Sequence, residues 1–184
     1  MKLPLSIILI SSICLIFSNC NPDEKREIDI ENISFKTTDA SSLFFKNIRL
    51  PYYTVEENSE TGLKIYRFKD ELETRDDNYL GYAIVHAWKM DRAYLTIEQG
   101  GNLEGLETIN LEYNLNDEVQ TISYEQSNAA EQARFAAKVY NLLSKGGNFS
   151  LIQENEKSSL WDNSQRKEAI RILMYDFFNL TGNF

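Results

Sequence analysis

The chain is poor in the residues that most often do chemistry. Its 184 residues include only two cysteines and one histidine. Both cysteines, Cys14 and Cys20, stand in the N-terminal stretch, so everything downstream has no disulfide and must rely on its packed core. A zinc site normally takes several His or Cys ligands, which His86 alone does not supply. No nucleophile signature of the Ser–His–acid kind flanks His86 either. Positive charge is also scarce, with 19 Lys+Arg against 28 Asp+Glu and a net charge of −9. Nucleic acids are held by clustered Lys and Arg, so this balance argues against a nucleic-acid partner. Gly100-Gly101-Asn102 follows a strand pattern but lacks both the GxGxxG spacing and a Walker lysine, and turn chemistry explains it. The N-terminal apolar stretch, Leu3 to Phe17, carries no charge and reaches about 22 Å as a helix, short of the hydrocarbon core of about 30 Å.

That run has the form of an export signal. Lys2 gives it a positive start, and Phe17-Ser18-Asn19-Cys20 puts a cysteine directly after it. The arrangement resembles the lipobox of bacterial lipoproteins in its looser Bacteroidetes form. Phe17 and Asn19 stand where Leu and a small residue are usual, and Cys14, inside the run, is the rival position. The resemblance implies a signal peptide over residues 1–19 and an acylated Cys20 as the new N-terminus. It also implies a tether over residues 20–27 and a lipid-anchored place in the cell envelope, at the outer membrane. Several acyl chains are needed there, because one alone binds marginally and reversibly. Asp23-Glu24 is similar to acidic signals that send such lipoproteins to the cell surface, and equally to an ordinary solvated linker. Removing residues 1–19 leaves 165 residues and takes away one charge, Lys2, moving the net charge to −10. That length suits a single domain, residues 28–184.

Hydropathy patterning predicts an α+β domain. Leu43 to Leu50 is apolar and aromatic and reads as a strand that ends near Pro51. Tyr52 to Val55 and Leu63 to Lys69 flank the turn cluster Asn58 to Gly62 and read as a hairpin. Asp70 to Asn78 reads as an acid-rich loop. Tyr79 to Trp88 carries no charge on either face and predicts a strand buried on both sides, returning through Ala93 to Gln99. Ile109, Leu111, Tyr113 and Leu115 alternate with polar residues and pair with Val119 to Tyr124. Two amphipathic helices follow. The first begins near Asn128 and Glu131 in a capping-box pattern. The second carries Ile170, Leu173, Met174, Phe177 and Phe178 at helical spacing. Between them, Phe149 to Gln153 and Ser158 to Trp161 read as a short strand pair. The expectation is one antiparallel, meandering sheet of about six to eight strands with both helices on one face. The segments Ser41 to Arg49 and Arg171 to Leu180 are similar to a group of Bacteroidetes lipoproteins of unknown activity.

Few side chains invite a catalytic role. His86 sits in an apolar strand and reads as a satisfied, half-buried histidine. Glu98, Glu104 and Glu107 lie near Gly100-Gly101, where a carboxylate pair would suit glycoside hydrolysis, although 28 acids supply such groupings by chance. Asp70, Glu71, Glu73, Asp76 and Asp77 offer oxygen ligands for calcium, but no EF-hand spacing orders them, and a solvated loop is the simpler reading. Tyr52, Tyr53 and Tyr66 suit either a recognition surface or cross-strand packing, and packing is the commoner use. The expected function is a non-catalytic binding or envelope-assembly module with no cofactor and no metal. Its partners would be the membrane, through its lipid, and an envelope protein, a basic toxin or a glycan. Two alternatives remain: an immunity protein that faces a basic toxin with its acids, and a carboxylate-based glycan hydrolase.

Overall fold

The computed structural model describes residues 26–184, apart from residues 117, 154 and 155. Cys14, Cys20, the expected signal peptide and the tether up to residue 25 lie outside the described residues. The described chain is α+β, with eight antiparallel strands and four α-helices. The strands are divided between two four-stranded sheets rather than joined in one.

The first sheet is a meander. β1 (Tyr53–Asn58) and β2 (Leu63–Phe68) form the expected hairpin. Its turn is closed by the Asn58 side chain, which accepts from the Thr61 amide at 3.0 Å. β3 (Tyr79–Ala87) and β4 (Arg92–Gly100) complete the order β1-β2-β3-β4. Tyr53, Phe68, Tyr66, Tyr82, Ile84 and Leu95 share one face by register and are all buried. The opposite face carries Arg67, Gly81, Ala83 and Glu98.

The second sheet has the order β6-β5-β7-β8, from β5 (Thr108–Leu115), β6 (Glu118–Glu125), β7 (Asn148–Gln153) and β8 (Glu156–Leu160). Ile109, Leu111, Tyr124, Phe149, Leu151 and Leu160 are buried on its inner face. Its outer face is wet, and its cross-strand contacts are polar. Ser123 donates to Asn110 at 2.6 Å, and Lys157 pairs with Glu112.

The helices cover the apolar side. The longer pair runs as expected, with an N-terminal cap on each. In α3 (Ala129–Ser144) Asn128 accepts from the Ala130 and Glu131 amides, but Glu131 turns to Arg134 and does not close the capping box. In α4 (Ser164–Leu180) Asn163 accepts from the Gln165 amide, and Gly182 takes the left-handed conformation past its end. Ile170, Leu173, Met174, Phe177 and Phe178 are all fully buried. α3 packs on β4, and α4 packs on β3 and α3.

Two further helices stand where a strand and a loop were expected. α1 (Asp39–Phe44) continues through a π-helical turn (Phe45–Arg49) and a 3-10 turn (Leu50–Tyr52) into β1. A reciprocal box starts it. The Thr38 hydroxyl accepts from the Ser41 amide at 3.1 Å, and the Ser41 hydroxyl accepts from the Thr38 amide at 3.0 Å. The apolar residues of this stretch suggested a strand, yet only Phe45 is buried and the rest stay at the surface or partly covered. α2 (Lys69–Glu73) replaces the first half of the expected acidic loop, because Glu71 turns inward to a guanidinium.

Two devices tie the layers together. The Trp161 indole donates to the Leu80 carbonyl of β3 at 2.9 Å, while its ring packs on Tyr82 and Phe149. Trp161 takes a positive φ of 55° to do so. The segment before α1 is held by two carboxamide clasps. Asn141 accepts from the Ile28 amide at 2.9 Å and donates to the Ile28 carbonyl at 3.0 Å. Asn183 does the same with Ser34 at 2.7 and 3.0 Å.

Candidate functional site

The acids singled out from the sequence are dispersed or neutralised. Glu98 accepts from Arg67 Nε at 2.7 Å and from Arg75 Nη2 at 2.7 Å. Arg75 also holds Glu71, with Nε to Oε1 at 2.9 Å and Nη2 to Oε2 at 2.7 Å. Arg67 reaches Glu56 at 3.0 Å, so a ladder of alternating charge runs Glu56, Arg67, Glu98, Arg75, Glu71. Gly81 makes room for it, since a Cβ there would lie 2.6 Å from Glu71 Oε1. Burial raises the Glu71 pKa above the ordinary carboxylate value, and Arg75 pulls against that rise. Arg75 bridges the two carboxylates and neutralises both. Glu104 and Glu107 are exposed and do not join the ladder.

The acidic 70–77 stretch is likewise split. Glu71 is buried against Arg75, and Asp76 pairs with the buried Arg166. Asp70, Glu73 and Asp77 point to solvent. Among the described residues no group of three or more His, Cys, Asp or Glu is placed to hold a metal ion. Tyr53 and Tyr66 are core residues, whereas Tyr52 is exposed beneath the Arg49 guanidinium, 5.2 Å from its ring centre. The Tyr53 hydroxyl donates to the buried Asp176 at 2.6 Å, and Arg49 Nε donates to the same carboxylate at 2.8 Å.

His86 belongs to a different feature. It is half-buried, with Nδ1 at 3.5 Å from the Tyr66 hydroxyl. Burial lowers its pKa below the usual imidazole value, and Lys64 beside it adds to the lowering. The ring is therefore neutral at pH 7. Burial, with Glu57 nearby, pushes the Tyr66 phenol up to about 12.

These two residues line a recess of about 240 Å³ where the α1 region meets β2, β3 and the end of α4. Phe45, Leu50, Trp88 and Leu180 supply apolar wall, and Ser42, Lys46 and Lys64 supply polar groups. Its wall and the adjoining helical segment leave apolar side chains exposed. Leu43 is 58% exposed, Ile48 53% and Trp88 46%. The same helical segment that contributes Ser42, Phe45 and Lys46 to the recess presents Leu43, Phe44 and Ile48 outward. Sequence reading missed this site because it assigned residues 43–50 to a strand. The Thr38–Ser41 box was the signal that could have revealed the helix.

Comparison with known protein families, with curated proteins and with solved structures finds no match for the chain.

Proposed function

We propose that the chain is a lipid-anchored envelope protein whose domain is a non-catalytic binding module. The anchor reading rests on Cys20 standing just after the apolar stretch Leu3 to Phe17. The binding reading rests on one observation, an apolar-walled recess that includes the exposed Trp88 and adjoins a helical segment exposing Leu43 and Ile48. Apolar side chains gathered at a surface are a common mark of an interaction site. Glu98, Glu71 and Asp76 are each engaged by arginine, which favours binding over carboxylate-based hydrolysis. No helix among the described residues is long and apolar enough to cross a membrane.

Capture from native envelope extract with the full chain as bait tests the module. The unaltered chain should recover a reproducible partner, and Ile48→Asp with Trp88→Ala should lose it. A partner retained equally by that variant sinks the assignment of this surface. A basic toxin as the captured protein would select the immunity reading. The anchor is tested by the mass of the mature N-terminus. Acylated Cys20 is expected, and Cys20→Ala should release the protein from membranes. An unmodified N-terminus elsewhere refutes lipidation.

A further inference from the structure

We propose that the recess between the α1 region, Trp88 and Leu180 binds a small apolar carboxylate, its acid group held by Lys46 and Lys64. The inference rests on the binding-module reading and assigns that site a ligand class.

Size sets the first limit. A recess of about 240 Å³ lies below the roughly 300–1,000 Å³ of drug-sized pockets, so it suits a small body such as one ring with a short chain. The walls then fix its character. Phe45, Leu50, Tyr66, Trp88 and Leu180 offer aromatic and aliphatic contact, and the few polar groups are Ser42, Lys46, Lys64 and His86. Apolar walls with a small number of placed polar groups are the usual make-up of small-molecule sites.

Charge decides the head group. Acids outnumber bases 28 to 19 along the chain, yet no Asp or Glu lines this recess and two lysines do. Lys64 shares its charge with Glu57 at 3.2 Å. Lys46 has no ion-pair partner among the described residues. An amine placed here meets like charge, and a neutral body leaves both lysines unused. A carboxylate accepts charge-assisted hydrogen bonds from both.

The probe is 3-phenylpropanoate, with 3-phenylpropan-1-ol and 3-phenylpropylamine as matched neutral and cationic controls. The full chain, in a mild detergent, carries ¹⁵N at its two tryptophans, so two indole signals report. Trp88 lines the recess, whereas Trp161 is buried against Tyr82 and Phe149. The carboxylate should move the Trp88 signal along a saturable curve and leave Trp161 in place. Lys46→Ala with Lys64→Ala should weaken binding about tenfold or more, as loss of a charged hydrogen bond does. An unmoved Trp161 signal in that variant shows that its fold is intact. The alcohol should bind more weakly and the amine not at all. No saturable shift at millimolar carboxylate overturns the inference, as does equal binding of the alcohol or amine, or an unchanged affinity in the double variant. Partner capture from envelope extract separates the two levels. Capture retained while the carboxylate fails sinks this inference alone, and loss of both sinks the binding-module reading.

Discussion

Asp176 joins two elements of the fold. Its carboxylate is buried on α4 and takes hydrogen bonds from Arg49 and Tyr53, so it pins the segment that leads into β1. Removing one partner of a buried pair leaves the other uncompensated. Asp176→Ala should therefore lower stability by about 3–5 kcal/mol, with Tyr53→Phe losing about 1 kcal/mol. Urea unfolding checks both, and equal losses would show that the carboxylate is not the hub. His86 gives a pH test. It is the only histidine, and its folded pKa lies below its unfolded one. Its contribution to stability is present above the ordinary value near 6.5 and is lost as pH falls through the folded pKa. The unaltered protein should thus lose more stability than His86→Gln between pH 7 and the carboxylate range. Parallel curves would contradict this. Individual site residues were only partly legible in sequence. The half-buried His86 follows from its apolar strand. The inward turn of Glu71 does not, because its partner Arg75 sits in the same acid-rich stretch and looked like one more solvated charge.

At the level of elements, alternation and helical spacing were enough where one face is buried. β5 and β6 alternate apolar and polar, and α4 carries five buried residues at helical intervals, so both were readable. The 39–52 segment lacked that guide. Its apolar residues point several ways, and capping together with Phe45 decides its form. Thr38→Ala removes the cap and should cost about 1 kcal/mol. Loss of the cap should also raise amide exchange across residues 39–49 specifically. Unchanged exchange there would mean that packing alone holds the helix. β3 supplies a second case. Gly81 lies opposite Glu98 in β4, and any Cβ would press on the Glu71 carboxylate. Gly81→Ala should cost about 1–3 kcal/mol as an overpacked site. If it instead stabilises, as glycine replacement in an open strand does, the ladder is not under that constraint.

The whole molecule depends on how its two sheets meet. Strand patterning could not reveal their division, because β7 crosses α3 to pair with β5 and that pairing is set by tertiary contact. Trp161 sits at the join. Trp161→Ala should lose about 3–5 kcal/mol by deleting a buried aromatic. Trp161→Phe keeps part of the packing and loses the bond to the Leu80 carbonyl, so it should fall between. Calorimetry should show one transition for the unaltered chain. If Trp161→Ala resolves two, the sheets are separable units held by this side chain.

The paired clasps of Asn141 and Asn183 bear on how the domain carries load. Any pull arriving through the chain before Arg26 meets the Arg26–Phe184 contact, the Glu27–Lys145 ion pair and the Asn141 clasp at Ile28, and meets the Asn183 clasp only six residues further on, at Ser34. The two grips act in series. The first joins the strap to α3 and the second joins it to the segment after α4, each by two hydrogen bonds, as a single rung of sheet would. A tug would open the first rung and pay out a few residues of slack before straining the second. Ile28 is itself a core side chain, so opening the first grip draws apolar surface out of the domain with it.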